Sequence, residues 1–149
     1  MTTANIIPRG IQNNNPANID YSDHNDWNGQ VYGSKFLSTE NRFCVFQSPA
    51  AGIRAAILNF QAYQDKDGCK TWAALVGRQA PGNENDTAAY VSAIHEKTGF
   101  EMDAPAATHD WAAMEKFVSA VIQVECGDYE YDPAVWALVK SNLAARFTA

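Results

Sequence analysis

The sequence predicts a mostly helical single domain of α+β type with one minor strand region, and three observations carry that prediction. Apolar residues recur at helical spacing in five stretches, most of them preceded by a residue able to cap a helix. One short run, Phe43-Cys44-Val45-Phe46, has the aromatic and β-branched content of a strand. The chain has 149 residues, 46% apolar and 19% charged, so it lacks the composition that keeps a chain disordered and suits one hydrophobic core spanning 1–149.

Taken in order, residues 1–9 are expected to form a flexible N-terminus. Residues 10–35 read as irregular structure, because Gly10 to Asn18 concentrates Asn, Gly and Pro, which favour turns over regular pairing. Such a segment needs hydrogen-bonding partners from the rest of the domain and should wrap its surface. Trp27-Asn28-Gly29 adds a turn beside a large aromatic anchor, and a small hairpin is expected within 30–46.

Ser48 then caps a helix that begins at Pro49, where the missing N–H costs least. Ile53, Ile57, Phe60 and Tyr63 form its buried face, and the helix ends at Asp65 to Gly68. Thr71 caps a short helix through Arg78. Asp86 caps another, carrying Tyr90, Val91 and Ile94 and stopping near Gly99. After a connection over 101–107, the longest helix is expected from Thr108 or Asp110 to Val124 or Glu125. Asp132 and Pro133 open the last one, with Trp136, Val139 and Leu143 on one face.

Composition excludes several functions. Seventeen acidic against eleven basic side chains give a formal charge of −6, with no Lys/Arg run to track a phosphate backbone, so nucleic acid is not an expected partner. No signal peptide is visible and no apolar stretch is long enough for a transmembrane segment. The protein is therefore expected to be made in the cytoplasm, and a target outside it, in the periplasm for example, would require another device for delivery. Cys44, Cys69 and Cys126 are too scattered for a CxxC unit and read as small buried or half-buried hydrophobes, one disulfide with one free thiol being the alternative. His24, His95 and His109 form no HExxH or i, i+4 pair, so no metal is expected.

Glu125 is the most informative acid. Helical spacing aligns it with Trp111, Met114, Val118 and Val121 at the end of the stripe that should meet the core. Burial and the negative helix end both favour a protonated carboxyl there, the bias a proton donor needs. The competing reading is a glutamate in a frayed last turn that faces water. Glu84, in the polar turn before a helix, is the second candidate acid. Glu40 and Asp26 read as solvated, although a second carboxylate to act with Glu125 would naturally come from such a strand-containing lobe. Asn13, Asn14, Asn15 and Asn18 offer donors and acceptors to hydroxyl and acetamido groups, and Trp27 and Tyr90, like Tyr32 and Trp72, offer ring faces. These types suit a neutral, hydroxylated ligand, although the Asn side chains also serve to satisfy their own turns.

Arg9 to Ile19, Trp27 to Gly29, Phe43 to Ala55, Ala80 to Tyr90 and Val124 to Gly127 resemble a set of small phage and prophage proteins. Members are often labelled virion structural proteins, and some are placed in the lysozyme-like superfamily. The order Asn-Pro-Ala-Asn-Ile, Trp-x-Gly, then Phe-x-Val-Phe-x-Ser-Pro also resembles part of bacterial glucosaminidase domains that cut peptidoglycan. In those enzymes a helix ending in the general-acid Glu precedes the Asn-rich segment, whereas here only twelve residues precede Asn13. The resemblance thus implies a compact lysozyme-like fold, circularly rearranged so that the helix ending at Glu125 docks beside residues 13–19.

Two functions of different class follow, with a third behind them. One is a peptidoglycan hydrolase or lytic transglycosylase cleaving a β-1,4 bond, with Glu125 as acid, Glu84 as second carboxylate, glycan strands as substrate and no cofactor. The other is a noncatalytic virion structural or wall-binding protein, partnered by other virion proteins. The third is a secreted antibacterial effector or its partner.

Overall fold

The computed structural model describes residues 7–22, 24–31, 42–82 and 86–147. They form α1 (Arg9–Gln12), α2 (Pro49–Asp65), α3 (Trp72–Gln79), α4 (Thr87–Thr98), α5 (Trp111–Glu125), α6 (Pro133–Asn142) and a closing 3-10 turn over Ala144–Arg146. The helix starts follow from their caps. Ser48, Thr71, Asp86 and Asp132 accept hydrogen bonds from Ala51, Ala74, Ala89 and Ala134 N–H groups. Gly99, at φ 75°, closes α4 in the left-handed region. The helix α2, at 17 residues, is longer than α5, at 15, reversing the expected order.

α2 lies at the centre, against α3, α5 and α6, while α4 packs on α3 and α5. The core between them holds Ile53, Ile57, Phe60, Leu75, Ile94, Met114, Phe117 and Val121, all buried. Phe117 meets Phe60 edge-on at 5.0 Å and Trp72 at 4.7 Å, and Trp72 stacks on Phe100 at 4.9 Å. Such contacts add to the apolar area removed from water.

The α+β, lysozyme-like plan, circularly rearranged or otherwise, is overturned. The regular structure of the described residues is helical and contains no strand, only isolated antiparallel bridges at Asp20 with Phe43, Gln30 with Phe46 and Thr71 with Pro105. Most of the expected hairpin, residues 32–41, lies outside the described residues, as do 1–6 of the N-terminal segment. Within 10–35 the structure adds α1, too short for any sequence period to reveal.

Residues 43–46 fail to become a strand because their partners are a loop and side chains. Asn15, fully buried, donates from Nδ2 to the carbonyls of Ile19 and Cys44 at 3.0 Å each, and its Oδ1 accepts from Ile19 N–H at 2.9 Å. Asn14 Nδ2 donates to Phe46 O, while the N–H groups of Cys44 and Phe46 reach the carbonyls of Ile19 and Asn13. Asparagine amides thus stand in for a neighbouring strand. Ile19, Cys44, Phe46 and Ala55 form a second, smaller apolar cluster beneath this loop, with Trp27 and Tyr21 against it.

This loop lies so close to α2 that Gly52 is required. A Cβ at Gly52 would sit 1.7 Å from the Asn14 carbonyl oxygen, whereas one at Gly77 in α3 would meet nothing within 4 Å. Helix propensity alone favours alanine over glycine at both by about 1 kcal/mol. Gly77→Ala is therefore expected to stabilise by about 0.5–1 kcal/mol. Gly52→Ala should destabilise by about 1–3 kcal/mol or more, as overpacking does. Denaturant melts of the two variants check the opposite signs.

Candidate functional site

The end of α5 and the Asn-rich loop meet at the floor of a polar groove. Asn18, held at φ 53° in the left-handed region that asparagine tolerates, donates from Nδ2 to Glu125 Oε1 at 2.9 Å. Tyr90, on the buried face of α4, donates its hydroxyl proton to Glu125 Oε2 at 2.8 Å. One residue on, the buried Cys126 thiol donates to the Pro16 carbonyl at 3.3 Å and lies beside Gly10, whose hypothetical Cβ would be 3.0 Å from Cys126 Sγ. Gln79 Nε2 reaches the Ala17 carbonyl at 2.7 Å from α3.

The groove encloses about 660 Å³ and is lined by Asn18, Ile19, Asp20, Ser22, Asn25, Arg42, Phe43, Asn59, Tyr63, Asp67, Arg78, Gln79 and Glu125, among others. Its charges are largely paired within it. Arg42 Nε lies 2.7 Å from Asp20 Oδ1, and Arg78 lies 3.4 Å from Asp67 Oδ2 while covering the Tyr63 ring at 5.1 Å. Asn59 donates to the Tyr63 hydroxyl at 2.9 Å.

Of the residues singled out in the sequence, the structure brings Asn18, Tyr90 and Glu125 into direct contact. Asn13, Asn14 and Asn15 fold into the loop itself, with Asn13 and Asn15 buried. Trp27 packs on the small cluster, and its indole N–H is buried with no hydrogen-bond partner among the described residues. Glu84, Glu40 and Tyr32 lie outside the described residues, Asp26 is exposed, and Trp72 is core. Sequence reasoning missed Asn59, Arg78 and Gln79, and it assigned Tyr63 to the buried face although it is half-buried at the groove. The i, i+4 pair of Asn59 and Tyr63 on α2 was the available signal.

The reading as a glycan hydrolase or lytic transglycosylase is overturned with the fold. Among the described residues no sheet-bearing lobe supplies a carboxylate opposite Glu125, and no group of three or more His, Cys, Asp or Glu side chains is gathered as a metal site. The groove's own acids are engaged: Asp20 and Asp67 face arginines, and both oxygens of Glu125 accept hydrogen bonds. In this arrangement Glu125 joins α4, α5 and the loop.

Burial first, and then the Glu125 charge, push the Cys126 thiol from its ordinary 9.0 up to about 12. The Tyr90 phenol is raised above its ordinary 10.0 by burial first, then by the charge of Glu125 and the hydrogen bond to it. Folding thus keeps protons that the unfolded chain releases at lower pH. Stability from these groups is full below pH 9 and falls as the pH rises, for Cys126 between 9 and about 12 and for Tyr90 above 10. Each group contributes a slope of at most about 1.4 kcal/mol per pH unit. Urea melts across alkaline pH should show Cys126→Ala removing the earliest part of the decline and Tyr90→Phe reducing the part above pH 10, where Tyr131 and Tyr63, also raised by burial, contribute too. A decline identical in all three proteins refutes the assignment.

No family model matches the chain. Among curated proteins it is 33% identical over 133 residues to Protein P5 of Pseudoalteromonas phage PM2, an alignment that covers 88% of this chain and 80% of that protein. At that identity and coverage the chain belongs to the family of Protein P5, a family of phage-associated proteins.

Proposed function

We propose that the protein is a noncatalytic structural component of a phage particle. The observation that carries this reading is the use of Glu125 as a fastening between Asn18 and Tyr90, which commits the most conspicuous acid of the sequence to holding the domain together. Kinship with a protein of a phage supplies the setting. Among the described residues no helix is long and apolar enough to cross a membrane, so attachment within a particle through such a helix has no support from these residues.

A wall-binding role is favoured by one feature of the same groove. Its lining is rich in amide and hydroxyl groups, and its arginines are already paired, a chemistry matched to a neutral, hydroxylated chain such as a glycan strand of peptidoglycan. Asn18 and Glu125 would make the contacts at its floor, with Tyr90 and Asn13, Asn14 and Asn15 holding them from behind.

Particles purified by density gradient from cells that carry the gene should contain the chain at constant stoichiometry after a high-salt wash. Its loss into the soluble fraction would rule out a structural role. Purified protein incubated with sacculi should release no reducing or anhydro muropeptide, with cosedimentation reporting any binding. Released fragments that vanish in Glu125→Gln would overturn the noncatalytic reading.

A further inference from the structure

We infer that a cavity between the start of α2 and α6, centred on Arg54, is a docking site for a carboxylate-bearing peptide segment of another virion protein. The inference rests on the virion reading above. Among the described lysines and arginines, Arg54 is half-buried and the others are exposed over the whole residue, Lys97 tucking its side chain against Asp128. Among the described residues it has no ion-pair, hydrogen-bond or ring partner, unlike Arg42, Arg78 and Lys97, which lie on carboxylates, and Lys116, which lies over Phe100. A guanidinium drawn partly out of water without a partner is costly, and the cost is relieved by an anion that meets its fork of donors.

The surroundings supply such a place. A cavity of about 370 Å³ is lined by Arg54 together with Asn28, Gly29, Ser48, Leu138 and Asn142. The Ser48 oxygen already accepts from Ala51 N–H, which leaves its own proton to donate, and the amides of Asn28 and Asn142 are further donors. Among the described residues no carboxylate lines this cavity. Leu138, 53% exposed, stands at its edge as one of the few exposed large apolar side chains.

Charge complementarity fixes the occupant. A guanidinium, a hydroxyl and two amides select a carboxylate, and the adjoining Leu138 selects an apolar neighbour on the same segment. With a net charge of −6 the chain has no general attraction for anions, so recognition here belongs to the cavity. The segment expected is an Asp or Glu beside a Leu-like residue, displayed by a neighbour in the particle.

The test is an NMR titration of the labelled full chain with acetyl-Leu-Glu-amide, its Leu-Gln counterpart and inorganic phosphate at low salt. Saturable shifts of the Arg54 Nε–H and Leu138 methyls are expected with the Glu peptide, with binding about tenfold weaker for the Gln peptide. Arg54→Gln should abolish that discrimination while leaving the melting midpoint unchanged, and Arg54→Lys should restore part of it. Equal response to both peptides overturns the proposal. So does a phosphate response at Arg54 as strong as the peptide's with Leu138 silent, which would mark a simple anion site. Discrimination retained by a chain absent from purified particles would sink the virion reading alone, whereas a particle-bound chain without discrimination would sink this one alone.

Discussion

The carboxamide of Asn15 is the constraint on which the N-terminal third of the molecule depends. It lies wholly out of solvent and spends two donors and one acceptor on backbone groups of Ile19 and Cys44. A buried peptide group without a partner costs roughly 1–3 kcal/mol, so a run such as Phe43 to Phe46 enters a domain interior only if something pairs with it. Here the Asn15 amide together with Asn13, Asn14, Ile19 and Val31 does so, and the apolar side chains of Cys44 and Phe46 are thereby placed against Ala55 of α2. The absence of a glycine Cβ at position 52 gives this loop its seat on the helix.

Glu125 is the counterpart at the other end of the chain. It ties Asn18, 107 residues away, to Tyr90 and so fixes the loop, α4 and α5 relative to one another. Hydrogen bonds to an ionised group in a half-buried site are stronger than those between neutral groups. The same bonds explain why an acid in a groove is here an element of construction. An acid site is recognised by what its oxygens are free to do, and position within a cleft alone does not give that.

Local signals made the helices legible. Ser48, Thr71, Asp86 and Asp132 each act within three residues of themselves, and so does Gly99, so the sequence names the ends of α2, α3, α4 and α6 without knowledge of the fold. The place of Glu125 at the end of an apolar stripe is local in the same sense. What joins it was not legible, because Asn18 and Tyr90 reach it across long separations. The expectation of a strand at 43–46 failed for a related reason: aromatic and β-branched content reports an extended, half-buried backbone but says nothing of what pairs with it. The Asn-rich stretch, read as ligand-binding, is for the most part its answer. Arg78 and Gln79 escaped notice because they are ordinary polar residues in a helix whose groove-facing side only the tertiary packing defines.

The close seating of the loop on α2 also sets where this chain can vary in length. Between Asn14 and Asn18 the Asn14 carbonyl lies over Gly52, the Asn15 amide binds Cys44, Pro16 accepts from the Cys126 thiol, Ala17 accepts from Gln79 and Asn18 donates to Glu125, so an added residue there would unseat several groups at once. The turn after α2, where Gly68 has open space around it, has fewer ties: Asp67 on Arg78 and the Cys69 N–H on the Tyr63 carbonyl. Insertions that descend through a lineage of related particles will accumulate in that outer turn and be purged from the inner one, leaving the two with different histories on a single scaffold.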